Sequence, residues 1–205
     1  MRGWREHALA ILKIRLMQTA DDSPQPASAQ ARLFLALCPG AQIQAAVAAH
    51  AQAWRWNADA ARYAPPDWHV TLHFIGLVPR ARLDELRAGL KVAVTPFELR
   101  LGEPALWPHG LAVLLPLAVP AALQTLHDAL GRRLRSLGLP TDERAYRPHL
   151  TLARRASRAL PPAQWPAWGW RVQGYALMES TGRPEARYRV LQRYGEEDAG
   201  DALQA

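Results

Sequence analysis

A tetrapeptide that occurs twice constrains this chain more than any other feature. His69-Val70-Thr71-Leu72 is the first copy, and His149-Leu150-Thr151-Leu152 stands 80 positions after it, each inside a run of strand-forming residues. Side chains alternate along a strand, so the histidine and threonine of each copy share one face and the aliphatic pair shares the other. The aliphatic face can be buried, leaving an imidazole and a hydroxyl on an open face. Two such strands in equivalent places imply an internally repeated fold whose open faces line one cleft.

The flanking sequence fits that repeat. Arg32 to Leu37 is an apolar run stopped by Pro39-Gly40, which predicts a buried strand and a turn. Ala41 to Trp56 is alanine-rich without Gly or Pro and predicts a helix. Trp68 to Ile75 is the next strand, followed by helical spacing of Leu83, Leu86 and Leu90 within Arg80 to Val94. Strands are expected over Phe97–Leu101 and Leu111–Leu117, then a helix over Val119–Leu137 closed by Gly138 and Pro140. Tyr146–Ala153 is a further strand. Pro161–Trp168 is a connection, and Arg171–Glu179 with Arg187–Tyr194 forms a closing strand pair. The result is an α+β fold of two antiparallel sheet lobes, helices outside and a central cleft between. Residues 1–31 read as a flexible extension, with Lys13 and Arg15 interrupting the only apolar stretch, so no signal peptide is expected. The ordered domain spans 32–195, and 196–205 is a frayed tail.

Composition narrows the setting. No apolar run reaches the roughly 20 residues that span a bilayer, and the formal net charge of +7 suits a polyanion such as RNA. Cys38 is the only cysteine, so no intramolecular disulfide can form. It ends an apolar run and is expected to be a buried, inert thiol in a cytoplasmic protein. A monomer is expected.

Two imidazoles and two hydroxyls around one phosphorus would match an in-line displacement at a cyclic phosphodiester. One neutral histidine takes a proton from water while the other, as imidazolium, gives one to the departing ribose oxygen. The threonine hydroxyls can donate to the non-bridging oxygens. This chemistry asks for no metal or other cofactor. In ideal alternation His73 shares the cleft face with His69 and Thr71, while Val70, Leu72 and Phe74 share the other face. His7, His50, His109 and His127 are isolated and read as structural or exposed. Trp68 has the opposite parity to His69 and should be buried. Phe34 is expected in the core, with base stacking as its alternative.

With these residues in view, the chain resembles the two-histidine phosphoesterases, and among them the bacterial RNA 2',3'-cyclic phosphodiesterases, also described as 2'-5' RNA ligases. The likeness runs from Arg32 to Tyr194 and rests on RLFLAL, on Asp67 to Gly76, on Tyr146 to Arg154 and on the closing Glu179 to Tyr194. It implies metal-independent opening of a terminal 2',3'-cyclic phosphate to a 2'-phosphomonoester. His69 would be the general acid and His149 the general base, with Thr71, Thr151 and Arg154 binding phosphate. Reverse 2'-5' ligation is possible in principle at such a site. Arg154 lies opposite His149 in an ideal strand, so the chain must twist or bulge for it to contribute. The family often has a small or apolar residue where His73 stands, and His73 is left outside the catalytic set. Two other functions stay open: a phosphoesterase for small cyclic nucleotides or 2'-5' oligonucleotides, and a non-catalytic RNA-end binding protein.

Overall fold

The computed structural model describes residues 29–195; the expected extension, up to residue 28, and the expected tail lie outside the described residues. Among the described residues, nine strands and three α-helices run in the order β1 (Gln30–Leu37), α1 (Ala41–Gln52), β2 (Ala61–Arg62), β3 (Val70–Pro79), α2 (Leu83–Gly89), β4 (Phe97–Trp107), β5 (Leu111–Pro116), α3 (Ala121–Ser136), β6 (Leu150–Arg154), β7 (Trp168–Val172), β8 (Gly174–Ser180) and β9 (Tyr188–Gly195). All strand pairings are antiparallel, and the sheet order is β7-β4-β5-β6-β3-β1-β8-β9, with β2 added to β6. The two lobes are therefore halves of one sheet, curled into a half-barrel.

The unit β1-α1-β3 in the first half repeats as β5-α3-β6 in the second. The halves join where β3 meets β6, through the pair Val70↔Leu150. These are equivalent residues of the two motifs. An antiparallel pair of equivalent positions places a local two-fold axis between them.

Amphipathic patterning decides which face is covered. Leu33, Leu35 and Leu37 of β1 point to the same face as Leu114, Leu150 and Leu152, and this face packs on all three helices through Ile43 and Val47, Leu86, and Leu123, Leu130 and Leu134. The helices cross the seam. α1 follows a first-half strand yet its His50 ring lies 5.3 Å from Trp168 of second-half β7, while the His127 carbonyl of α3 accepts a hydrogen bond from His73 of β3. Each half thus contributes the helix that backs the other, and one apolar core runs behind both.

Several boundaries differ from expectation for identifiable reasons. The expected helix over Arg80–Val94 is a 3-10 turn at Arg80–Arg82 followed by the short α2; Gly89 ends it, and β-branched Val92 and Val94 precede Pro96. The expected strand from Tyr146 joins the ladder only at Leu150, since Pro148 has no N–H to give. The single closing strand expected over Arg171–Glu179 is two strands, β7 on the second half and β8 on the first, with the chain crossing between halves at Gln173.

Two bulges matter most. Thr71 pairs with Ala36 while His73 pairs with the next residue, Leu35, so Leu72 is the extra residue. In the second half Thr151 pairs with Val113 and Ala153 with Ala112, leaving Leu152 as the extra residue. The repeat therefore includes a bulge one residue after each threonine, and a bulge reverses the facing of everything beyond it.

The bulge corrects the reading of His73. It does not share the cleft face: it is turned toward α3, 4% exposed, stacked on His127 at 4.1 Å and donating from Nε2 to the His127 carbonyl at 2.8 Å. Burial, above the other influences on it, holds its pKa below the ordinary histidine value. A buried neutral histidine takes up a proton more readily when unfolded, so the unfolded chain binds more protons as pH falls below about 6.5 and stability drops there. The melting temperature is thus expected to fall on acidification from pH 7 to 5. His73→Gln, which retains a donor without an imidazole, should flatten part of that slope.

Candidate active site

Both motif histidines stand just before their strands, where the chain enters the ladder. His69 Nδ1–H donates to the Asp67 carbonyl at 2.8 Å, and His149 Nδ1–H donates to the Arg147 carbonyl at 2.8 Å. The two rings are held the same way, by the carbonyl two residues earlier. Because a carbonyl only accepts, the neutral form of each ring carries its proton on Nδ1 and leaves the Nε2 lone pair for chemistry. Continuing the Val70↔Leu150 register by one residue in each direction sets His69 across from Thr151 and Thr71 across from His149. Directly opposed residues have Cβ atoms about 4.5–5.5 Å apart. All four side chains belong to the face away from the helices, and all four residues are half-buried.

The surroundings of the two imidazoles differ. His69 sits among aromatic rings, with Phe34 at 4.9 Å and Tyr188 edge-on at 4.9 Å. Phe34 itself is covered by Tyr188 at 5.3 Å and Phe74 at 6.3 Å, within a small apolar cluster on the cleft face that also holds Ala36, Ala176 and Met178. His149 faces Trp107 at 4.4 Å, and the Arg147 guanidinium lies over the Trp107 ring at 4.6 Å. Burial lowers the pKa of both histidines. For His69 the Nδ1 hydrogen bond opposes this and the charge of His149 adds to it; for His149 the corresponding bond opposes and the charge of Arg147 adds. The charge of His149 is thus felt at His69.

Arg147 acts on His149 in addition: its charge favours the neutral form of that ring, on top of the burial that is the leading cause for both rings. Replacing Arg147 with alanine is expected to raise the His149 pKa, because it removes a charge that disfavours the imidazolium. Imidazole NMR titration of the free protein measures this directly; an unmoved His149 titration would remove Arg147 from the electrostatics of the site.

Arg154 gains from the second bulge. Its position after Leu152 corresponds to Phe74 after Leu72, so the reversed facing brings it to the cleft side, and its charge reaches Tyr188, the ring beside His69. It is exposed. Phe74, assigned to the buried face by simple alternation, is instead 67% exposed on the cleft face. Trp68 is buried at 4%, as its parity requires. Cys38 is half-buried, its Sγ 3.5 Å from Met178 Sδ, and burial raises its thiol pKa. His50 is buried and accepts from Trp54 Nε1 at 3.0 Å, a structural role.

Three residues at the site were not singled out from the sequence: Trp107, Arg147 and Tyr188. Tyr146 is a fourth, its hydroxyl donating to the Thr71 carbonyl at 3.2 Å across the seam. Among the described residues, no group of three or more His, Cys, Asp or Glu side chains is placed to hold a metal ion, and no helix is long and apolar enough to cross a membrane.

A curled antiparallel sheet with a duplicated His-x-Thr pair at its seam is the arrangement of the two-histidine phosphoesterase fold. By its sequence the chain belongs to the 2'-5' RNA ligase superfamily, whose family model matches residues 43–184. It is 30% identical over 170 residues to the RNA 2',3'-cyclic phosphodiesterase of Escherichia coli, covering 80% of this chain and 95% of that protein. It is also 30% identical over 146 residues to the protein of the same name from Thermus thermophilus, covering 63% and 72%. The crystal structure of E. coli LigT with 3'-AMP superposes with a TM-score of 0.69 at 26% identity, covering 81% of this chain and 98% of that one.

Proposed function

We propose that this protein hydrolyses terminal RNA 2',3'-cyclic phosphates to 2'-phosphomonoesters, with His69 as general acid and His149 as general base. The observation that carries this reading is the matched pair of imidazoles across a local two-fold, each with Nδ1 tied to a carbonyl and, among the described residues, no hydrogen bond at Nε2. The names of the relatives, RNA 2',3'-cyclic phosphodiesterase, support the substrate class.

The neutral His149 Nε2 takes the proton of the attacking water as its oxygen bonds to phosphorus. The P–O3' bond breaks on the opposite side, and His69 Nε2–H delivers its proton to O3', leaving phosphate on O2'. The Thr71 and Thr151 hydroxyls donate to the non-bridging oxygens as negative charge accumulates there, and Arg154 supplies a positive charge nearby. Exposed Phe74 offers a stacking surface to the terminal base. With a ribose 5'-hydroxyl in place of water as the attacking group, the same displacement of O3' would form a 2'-5' linkage.

The test is incubation with an oligonucleotide ending in a 2',3'-cyclic phosphate, with EDTA present, and resolution of the 2'- from the 3'-phosphate product across pH. A 2'-phosphate and a bell-shaped profile are expected. Hydrolysis of cyclic mononucleotides alone would instead select the small-nucleotide reading, and RNA binding without product would select an RNA-end binding protein.

A further inference from the structure

Ladder register identifies every side chain on the cleft face of the first half. Beyond the residues at the catalytic seam, Arg32 of β1 pairs with Leu77 of β3 and Ser180 of β8, while Ala176 of β8 pairs with Arg193 of β9 and Met178 with Val190. Leu77 is 57% and Val190 38% exposed, and Arg32 and Arg193 are exposed too. Among the described residues neither arginine makes an ion pair. The acid of this region, Glu179, faces the other way and is held by Arg80 and Arg189. The surface around Arg32 and Arg193 is therefore cationic and apolar, and Asp67, a carboxylate whose charge reaches Tyr188, is paired with Arg187 at 3.5 Å.

The matching face of the second half has a different charge pattern. There Glu98 pairs with Arg171, Arg100 with Gly169, and Glu103 with Leu115. Two carboxylates interrupt that face, and a polyanion laid across it would meet them. A pseudo-symmetric sheet thus has one half prepared for a phosphate chain and one half not.

We propose that the nucleotides upstream of the cyclic phosphate lie across β1, β8 and β9, with Arg32 and Arg193 meeting backbone phosphates and Leu77 and Val190 meeting sugars or bases. This rests on the reading of the substrate as RNA and assigns its direction on the protein. Three strand spacings separate β3 from β9, about 14 Å, so the face accepts more than the terminal nucleotide. Single-stranded nucleic acid is held without sequence readout by a positively charged groove and aromatic rings on which bases stack, and exposed Phe74 of β3 supplies such a ring on this face.

The experiment compares hydrolysis of a 2',3'-cyclic mononucleotide with that of a hexanucleotide bearing the same end, for wild type, Arg193→Glu, Arg32→Gln and Arg171→Glu. Fluorescence anisotropy with a labelled hexanucleotide 2'-phosphate reports binding without turnover, and melting temperatures confirm that each variant folds. Wild type should prefer the hexanucleotide by about tenfold or more in kcat/KM, a preference of about 1.4 kcal/mol. Arg193→Glu and Arg32→Gln should leave the mononucleotide reaction unchanged and weaken hexanucleotide binding. Each should also lower the slope of log affinity against log salt by about 0.7, the value for one phosphate no longer neutralised. Arg171→Glu should change neither. Unaltered hexanucleotide binding in both first-half variants, or a weakening confined to Arg171→Glu, would overturn the proposal. If wild type opens neither substrate, the catalytic reading fails, and anisotropy still decides whether this face holds RNA.

Discussion

Replacing either His69 or His149 with alanine should lower kcat for cyclic phosphate opening by about 10²–10⁴-fold, the range for a positioned acid or base. The two losses should not multiply in the double variant, because the histidines serve one concerted proton movement. The imidazoles are dissimilar enough for the single variants to be told apart by pH. Without the base, the acidic limb of the profile should disappear, since no group remains that must lose a proton. Without the acid, the basic limb should go. Aromatic packing of Phe34 and Tyr188 around His69, and of Trp107 on His149, keeps the neighbouring frame in place when either ring is removed. Single-turnover measurement with saturating enzyme separates this loss from a loss of binding. Full activity in either alanine variant would eliminate the paired acid–base mechanism.

Gly174→Ala should lower stability markedly, although it adds only one methyl group. Gly174 opens β8 immediately after the chain crosses from the second half to the first, and a Cβ there would lie 2.3 Å from the Tyr194 carbonyl oxygen. That oxygen belongs to β9 backbone, so relief requires the β8–β9 ladder to move rather than a side chain to turn. A cost of about 1–3 kcal/mol is expected, read as a fall in melting temperature of roughly 2–4 °C per kcal/mol for a chain this long. Gly138→Ala offers a comparison, as its φ of +69° brings backbone strain while nothing lies within 4 Å of the added carbon. A Gly174→Ala melting temperature equal to wild type would mean the ladder yields at no cost.

The repeat, its strands and the four residues at its centre were legible because they depend on local alternation and on similarity between two stretches of chain. The same alternation failed for His73 and Phe74. A bulge is set by how β3 pairs with β1, a partner about forty residues away, and the tetrapeptide itself carries no sign of it. The need for a bulge was visible at Arg154, whose parity conflicted with the role implied for it, and applying that conflict to the equivalent residue of the first motif would have reached Phe74. Trp107 and Tyr188 had no comparable signal, because they meet the histidines through sheet order, which brings β4 and β9 toward the site from opposite edges; Arg147 stands only two residues before His149. The break in the closing strand at Gln173 was hidden for a similar reason: Arg171–Glu179 is uniformly strand-forming, and only the presence of two separate edges makes the chain change partners.

The like anchoring of the two imidazoles bears on the state in which each turnover leaves the protein. Under the proposed mechanism, hydrolysis ends with the proton on His149 and the lone pair on His69, the reverse of the state that began it. The spent protein is therefore a second, distinct isomer, equipped for the opposite reaction until solvent exchanges the two protons. With Nδ1 fixed identically on both sides, the two isomers have the same hydrogen-bonded frame and differ in surroundings, with Arg147 and Trp107 beside His149 and Phe34 and Tyr188 beside His69. Recovery is thus a matter of proton exchange alone, with no side chain required to reorient, and at high substrate it becomes a step that can share control of the rate.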